Sequence, residues 1–273
     1  MDFTLTTYKN LLVSLAGAGY AFQTFQDFLK APASRAVILR HDVDERPQNG
    51  LMMARVEHGM GVQASYYFRI LKISNDPAVI AEIARMGHEI GYHYEDLALA
   101  GGDLKTAIKR FSENLTYFRR FYPVQTICMH GSSMSSHDNR ALWEHYDFKD
   151  FGIIGEPYFS VDYNEVFYLT DTGRRWDGGK FSVRDNVQNR FQMSFHKTSD
   201  LIRAAENGQL PDKILLQSHT LWTDSMIEWV WLEVREKSRG PIKMAIAKTP
   251  WLKNLAYKAI IAYSKSKQAK EKR

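Results

Sequence analysis

Apolar residues along the chain follow two different periods. The stretch AVILRHDVD (36–44) opens with an unbroken apolar run and then turns polar, as a strand covered on both faces does. GVQASYYFRI (61–70), HEIGYH (88–93), QTICMH (125–130), 165–170 and KILLQSH (213–219) predict further strands. Helical spacing appears between them. Residues 5–17 form one such segment, closed by Gly19. Residues 76–85 form another, capped by Asn75 or Asp76 with Pro77 in the first turn. A long amphipathic helix is expected over 104–121, ended by Pro123, and a short one over 199–206. Strands alternating with helices predict an α/β fold with a parallel sheet or barrel, in which reactive groups gather at the C-terminal strand ends. Four of these strands end in polar residues: His41-Asp42-Val43-Asp44, His93, His130 and His219. Such a fold would bring them to one rim.

Composition narrows the class. The 273 residues suit one large domain, or one domain with an appendage, and 44% hydrophobic with 25% charged residues is ordinary for a globular protein. Aromatic residues at 13% fit a sugar-binding groove. Cys128 is the single cysteine, so no intrachain disulfide can form and a reducing compartment is expected; Cys128 itself reads as buried core. No export signal and no apolar run of about 20 residues is seen, which leads to an expectation of a cytoplasmic protein.

Charge is unevenly placed. The net charge is +5, but from Arg235 to the end there are 12 Lys+Arg and 2 Glu, leaving 24 basic and 29 acidic residues in the rest. The body is therefore mildly acidic, which argues against nucleic acid as a partner. We expect a body over 1–235 and a basic tail over 236–273. Within the tail, TPWLKNLAYKAIIAYSKSK (249–267) reads as an amphipathic helix with Trp251, Leu255, Ala259 and Ala262 on one side and Lys253, Lys258, Lys265 and Lys267 for charge. It suits peripheral contact with an anionic membrane at its inner face. The competing expectation is that its apolar side packs on the body and the lysines are solvated.

The stretch GHEIGYHYEDL (87–97) holds two histidines five apart. The helical zinc motif H-E-x-x-H needs a spacing of four, and Gly91 would weaken a helix by about 1 kcal/mol. As a strand, the stretch points His88 and His93 to opposite faces. His93 is the site candidate and His88 is structural. His41 is expected beside the site rather than in it, and His58, His145 and His196 as structural or surface residues.

The order ILRHDVD, ASYYFRI, GHEIGYHYEDL, ILLQSHTLW resembles the NodB-homology polysaccharide deacetylases, carbohydrate esterase family 4, and most of all the branch associated with surface-polysaccharide and O-antigen biosynthesis. The resemblance spans 35–225. It implies a distorted (β/α) barrel carrying a divalent metal, usually zinc, and hydrolysis of an N-acetyl group on a sugar, a non-peptide C–N bond. Residue by residue, it implies Asp42 as general base, Asp44 and His93 as metal ligands and His219 as general acid. Where the family has a second metal histidine, this chain has Leu97. His130, at a neighbouring strand end, is our first choice for the third ligand, with Glu95 and Asp96 as alternatives. The loop YLTDTGRRWDG (168–178) offers Asp171, Arg174 and Trp176 for sugar hydroxyls and stacking, and Tyr92 and Tyr94, which flank His93, and Trp222, close behind His219, are further candidate substrate contacts. The same groups have structural readings: a turn cap for Asp42 and Asp44, a core role for His130 and His219, an ion pair and packing for Asp171, Arg174 and Trp176. Two rival functions stand beside deacetylation: another metal-dependent amide or ester hydrolase on the same barrel, and a non-catalytic glycan-binding member, which Leu97 favours.

Overall fold

The computed structural model describes residues 1–131, 135–177, 187–188 and 190–248, the last ten by backbone alone. The expected helix over 249–267 lies outside the described residues. Helix α1 (Leu5–Gly17) is capped by Thr4, whose side chain accepts from the Thr7 N–H, and buries Tyr8, Leu11, Leu12 and Leu15 at helical spacing. Strand β1 (Ala21–Gln23) and helix α2 (Phe25–Lys30) lead into β2 (Ala36–Val43), all eight of whose residues are buried. Then follow α3 (Pro47–Gly59), β3 (Ser65–Phe68), α4 (Pro77–Arg85), β4 (Glu89–Tyr94), the single turn α5 (Asp96–Leu99) and α6 (Leu104–Phe118). After β5 (Ile127–Met129) come two 3₁₀ turns, the short helix α7 (Pro157–Ser160) and β6 (Phe167–Thr170). Helix α8 (Thr198–Glu206), β7 (Lys213–His219) and α9 (Met226–Lys248) complete the order.

The strands make one parallel sheet, ordered β5-β4-β3-β2-β7-β6. β1 pairs with the first half of β2 (Ala21 opposite Ala36), and β3 with the second half (Arg40 opposite Ser65). The expected parallel α/β architecture is present. Its curl follows from a distance. In a flat sheet, β2 and β5 stand three strand spacings apart, roughly 14 Å. Yet Asp44, after β2, and His130, after β5, approach to 3.0 Å. The sheet has folded toward a barrel, and its strand ends converge.

Alternation divides the strands between two layers. On β2, Val37, Leu39 and Val43 join the large core beneath the helices, as do Tyr66, Ile90, Tyr92, Tyr94 and Leu216. Ile38, Tyr67, Cys128 and Leu215 form a smaller inner cluster with Phe25. Gly91 belongs to the inner layer: a Cβ there would lie 2.3 Å from the Tyr67 ring. Cys128 is buried, as expected.

Some elements differ from the sequence reading. The strand expected over 61–70 shortens to Ser65–Phe68, because Gly61 takes a left-handed turn (φ 69°) that closes α3. The helix expected over 104–121 stops at Phe118. Helix α3 was not foreseen: its buried side includes Glu57, which breaks the apolar period. Glu57 is held by Tyr8, by Tyr66 (2.8 Å) and by His41 (2.6 Å). Helix α9 runs through Arg235, so the expected boundary at 235/236 falls within a helix. Among the described residues, no helix is long and apolar enough to cross a membrane.

Candidate active site

Strand geometry delivers the site. Arg40 and Asp42 share the inner face of β2, Gln217 and His219 that of β7, and His93 that of β4, because residues two apart on a strand point the same way. Beyond the strand ends, Asp44 and His130 continue into the same space.

Three ligand-type atoms meet there. His93 Nε2 lies 3.3 Å from Asp44 Oδ1, His130 Nδ1 lies 3.0 Å from the same oxygen, and the two nitrogens are 3.3 Å apart. Asp44 Oδ1 is buried and makes no hydrogen bond. Burial would push the Asp44 carboxyl up, but the facing His130 and His93 hold it well below the usual carboxylate range. His93 Nδ1 is 2.9 Å from the Cys128 carbonyl, which can only accept; in the neutral ring Nδ1 therefore carries the proton and Nε2 presents a lone pair. Burial pushes the His93 imidazolium down, but Asp42 and Asp44 raise it overall.

Tetrahedral N and O ligands about 2.0–2.2 Å from a zinc-like ion stand roughly 3.3–3.6 Å from one another. The Asp44–His93–His130 triangle, at 3.0–3.3 Å, fits a divalent ion after a small expansion. A second group, Asp42, His93 and Cys128, also lies close together. There the carboxylate is already neutralised: Arg40 donates to both Asp42 oxygens, at 2.9 and 2.6 Å, and Gln217 Nε2 donates at 3.1 Å. Burial alone would raise the Asp42 carboxyl, but Arg40, followed by His93, lowers it. Three of its roughly four acceptor positions are taken, and one remains for a ligand. Asp42 Oδ2 is 3.8 Å from His93 Nε2.

His219 faces the cluster across the cleft, its Nε2 3.9 Å from Asp44 Oδ2. Its Nδ1 donates to Asp171 Oδ1 at 2.8 Å, and its backbone N–H donates to the same oxygen at 2.9 Å. Asp171 Oδ2 accepts from Ser218 and from the Trp222 indole. Burial would push the His219 imidazolium down, but Asp171 first, then Asp44 and Asp42, raise it to about 10. A cleft of about 220 Å³ opens between Asp44, His219, Arg69, Thr172 and Glu236.

The other expected contacts are placed elsewhere. Tyr92 and Tyr94 lie on the outer face of β4, fully buried: Tyr92 packs on Phe111 and Phe118 and donates to Asp96, and Tyr94 packs on Trp143. Alternation forbids them the cleft, because His93 between them occupies it. Trp176 and Trp222 are buried against Phe3, and Trp176 donates to Thr198. Arg174 is buried and pairs with Glu233. Asp171 is buried behind His219 and orients it. The two alternative third ligands are engaged by other groups. Glu95 is held by Arg69 through two 2.8 Å bonds, and Asp96 lies with Tyr92 and Asn114 in the helix-side core, where burial raises its carboxyl to about 7. Leu97 is buried in the same core. His41 and His88 sit behind the sheet: His41 on Glu57, His88 between the Ala64 N–H and the Ala54 carbonyl.

Sequence reasoning missed Arg40, Gln217 and Arg69. The first two stand two residues before Asp42 and His219, so strand alternation alone was enough to find them. Arg69 had no local signal.

No family model matches the sequence, and no curated protein matches it. Among solved structures, the chain is similar to the catalytic domain of a peptidoglycan N-acetylglucosamine deacetylase from Eubacterium rectale ATCC 33656, at 12% identity and TM-score 0.42, covering 77% of this chain and 87% of that one. It is also similar to a Streptococcus mutans CE4 esterase, at 13% identity and TM-score 0.41, covering 84% and 89%.

Proposed function

We propose that this protein is a metal-dependent hydrolase that removes an N-acetyl group from a sugar of a cell-surface polysaccharide or its precursor. The observation that carries this reading is the convergence of Asp44, His93 and His130 within 3.3 Å of one another, with Asp42 and His219 on either side. Two imidazoles and one carboxylate suit zinc, and three protein ligands leave a position open for chemistry. The motif resemblance supplies the choice of an acetylated sugar as substrate.

When bound, such an ion would acidify a water and polarise the amide carbonyl. The chain's own groups do the rest. Asp42, kept ionised and oriented by Arg40, accepts a proton from the attacking water through its remaining lone pair. His219 holds its proton at neutral pH and presents Nε2 to the cleft, where it protonates the departing amine. Asp171 fixes the His219 ring and balances its charge. The cleft is small and lined by charged groups, which suits one polar sugar ring at its mouth.

Metal analysis of the purified protein tests the reading. We expect about one equivalent of zinc or a similar ion, lost in Asp44→Ala, His93→Ala and His130→Ala, and acetate release from N-acetylated glycans that falls in parallel. Absence of bound metal after zinc and cobalt have been supplied would refute it. Retention of metal by His130→Ala would remove His130 from the ligand set.

A further inference from the structure

Helix α9 turns two unlike faces outward and inward. Inward, Leu232 is fully buried and Glu236 lines the cleft. Outward, Ile227 is 85% exposed, Val234 65%, Trp231 49% and Val230 48%. Their positions, i, i+3, i+4 and i+7, make one continuous apolar stripe over two turns. A stripe of this kind is unusual on a surface helix unless something covers it.

Charge indicates what that is. The guanidinium groups of Arg46 and Arg235 lie 4.7 and 4.6 Å from the centre of the Trp231 ring. From Lys237 onward, the continuing chain holds 11 Lys+Arg against Glu271 alone. The acidic groups beside α9 are already paired: Glu228 with Arg46, Glu45 and Glu236 with Arg235, and Glu233 with Arg174 and Lys237. They are therefore poor partners for the cationic continuation. A second copy docked through the same face would set its own cationic continuation against this one. An anionic bilayer accepts both features, the apolar side chains between its headgroups and the cations at its surface.

We infer that the Ile227–Val230–Trp231–Val234 face of α9 docks on an anionic phospholipid surface. The cleft then opens on the other side of the same helix, about 10 Å from the bilayer. This does not depend on the reaction carried out in the cleft.

The test is sedimentation of the full-length protein with vesicles of phosphatidylcholine alone or phosphatidylcholine with phosphatidylglycerol. We expect binding to the anionic vesicles only, weakened by high salt, with a blue shift of tryptophan emission that Trp231→Phe diminishes. Ile227→Glu with Val234→Glu should reduce binding at least about tenfold. Both positions are exposed, so an unchanged melting curve controls for folding. The inference is overturned if anionic vesicles fail to bind the protein at low salt. It is equally overturned if the double variant binds as the parent does, if the parent is a dimer that the double variant dissolves, or if the stripe is already shielded from an aqueous quencher without lipid.

Discussion

Arg40→Met isolates the central electrostatic device of the site. Arg40 and Asp42 have side chains only 1% and 4% exposed and are joined by two short charge-assisted bonds. Methionine keeps the apolar stem but leaves a buried carboxylate without its cation, a loss that runs at about 3–5 kcal/mol for broken buried pairs. We expect a value near the low end, about 3 kcal/mol, because Gln217 still donates at 3.1 Å and His93 and His219 remain close. The sign with pH is fixed. In the parent, the Asp42 carboxyl is lowered on folding, so its stabilisation is present above the ordinary carboxylate range and lost as pH falls through the lowered value. Without Arg40, burial dominates and the folded value rises above the ordinary one. The defect should therefore be large at pH 7 and shrink toward pH 4. Urea unfolding at both pH values measures it, and Arg40→Met with Asp42→Leu should recover most of the loss, since the unpaired charge is gone. A single variant within about 1 kcal/mol of the parent at pH 7, or a double variant no better than the single, would refute the reasoning.

Asp171→Asn should lower the His219 imidazolium from about 10 toward the ordinary 6.5, read by NMR titration, and reduce acetate release by roughly 10²–10⁴-fold through loss of a positioned acid. Glu156, buried, accepts from the Met129 and Tyr158 N–H groups, and burial raises its carboxyl to about 7. Its folded value lies above the unfolded one, so its contribution is full below pH 4.5 and lost as pH rises through 7. Glu156→Gln should remove about 3 kcal/mol of that decline, seen as a stability difference from the parent that grows between pH 5 and pH 8. Gly91→Ala would place a methyl 2.3 Å from Tyr67 and 3.1 Å from the Thr126 carbonyl, and should destabilise by about 1–3 kcal/mol in urea unfolding.

Much of this protein follows from local pattern. Period-two and period-3.6 spacing placed β2, β4, β7, α1 and α4 close to their observed ends, and the polar strand endings singled out Asp42, Asp44, His93, His130 and His219. Alternation also separated His88 from His93. Applied consistently, it would have kept Tyr92 and Tyr94 out of the cleft and brought Arg40 in. What local pattern could not supply depends on curvature. The 3.0 Å approach of His130 to Asp44 needs the sheet to close across three strand spacings, and strand twist accumulated over the whole sheet decides that, not any short segment. The same holds for the Arg69–Glu95 pair, joined from the ends of β3 and β4, and for α9, whose inner side reaches the cleft from a part of the sequence read as tail. Sequence determines which face a side chain takes on its own element, because backbone geometry fixes it. Only the closed tertiary structure decides which faces meet.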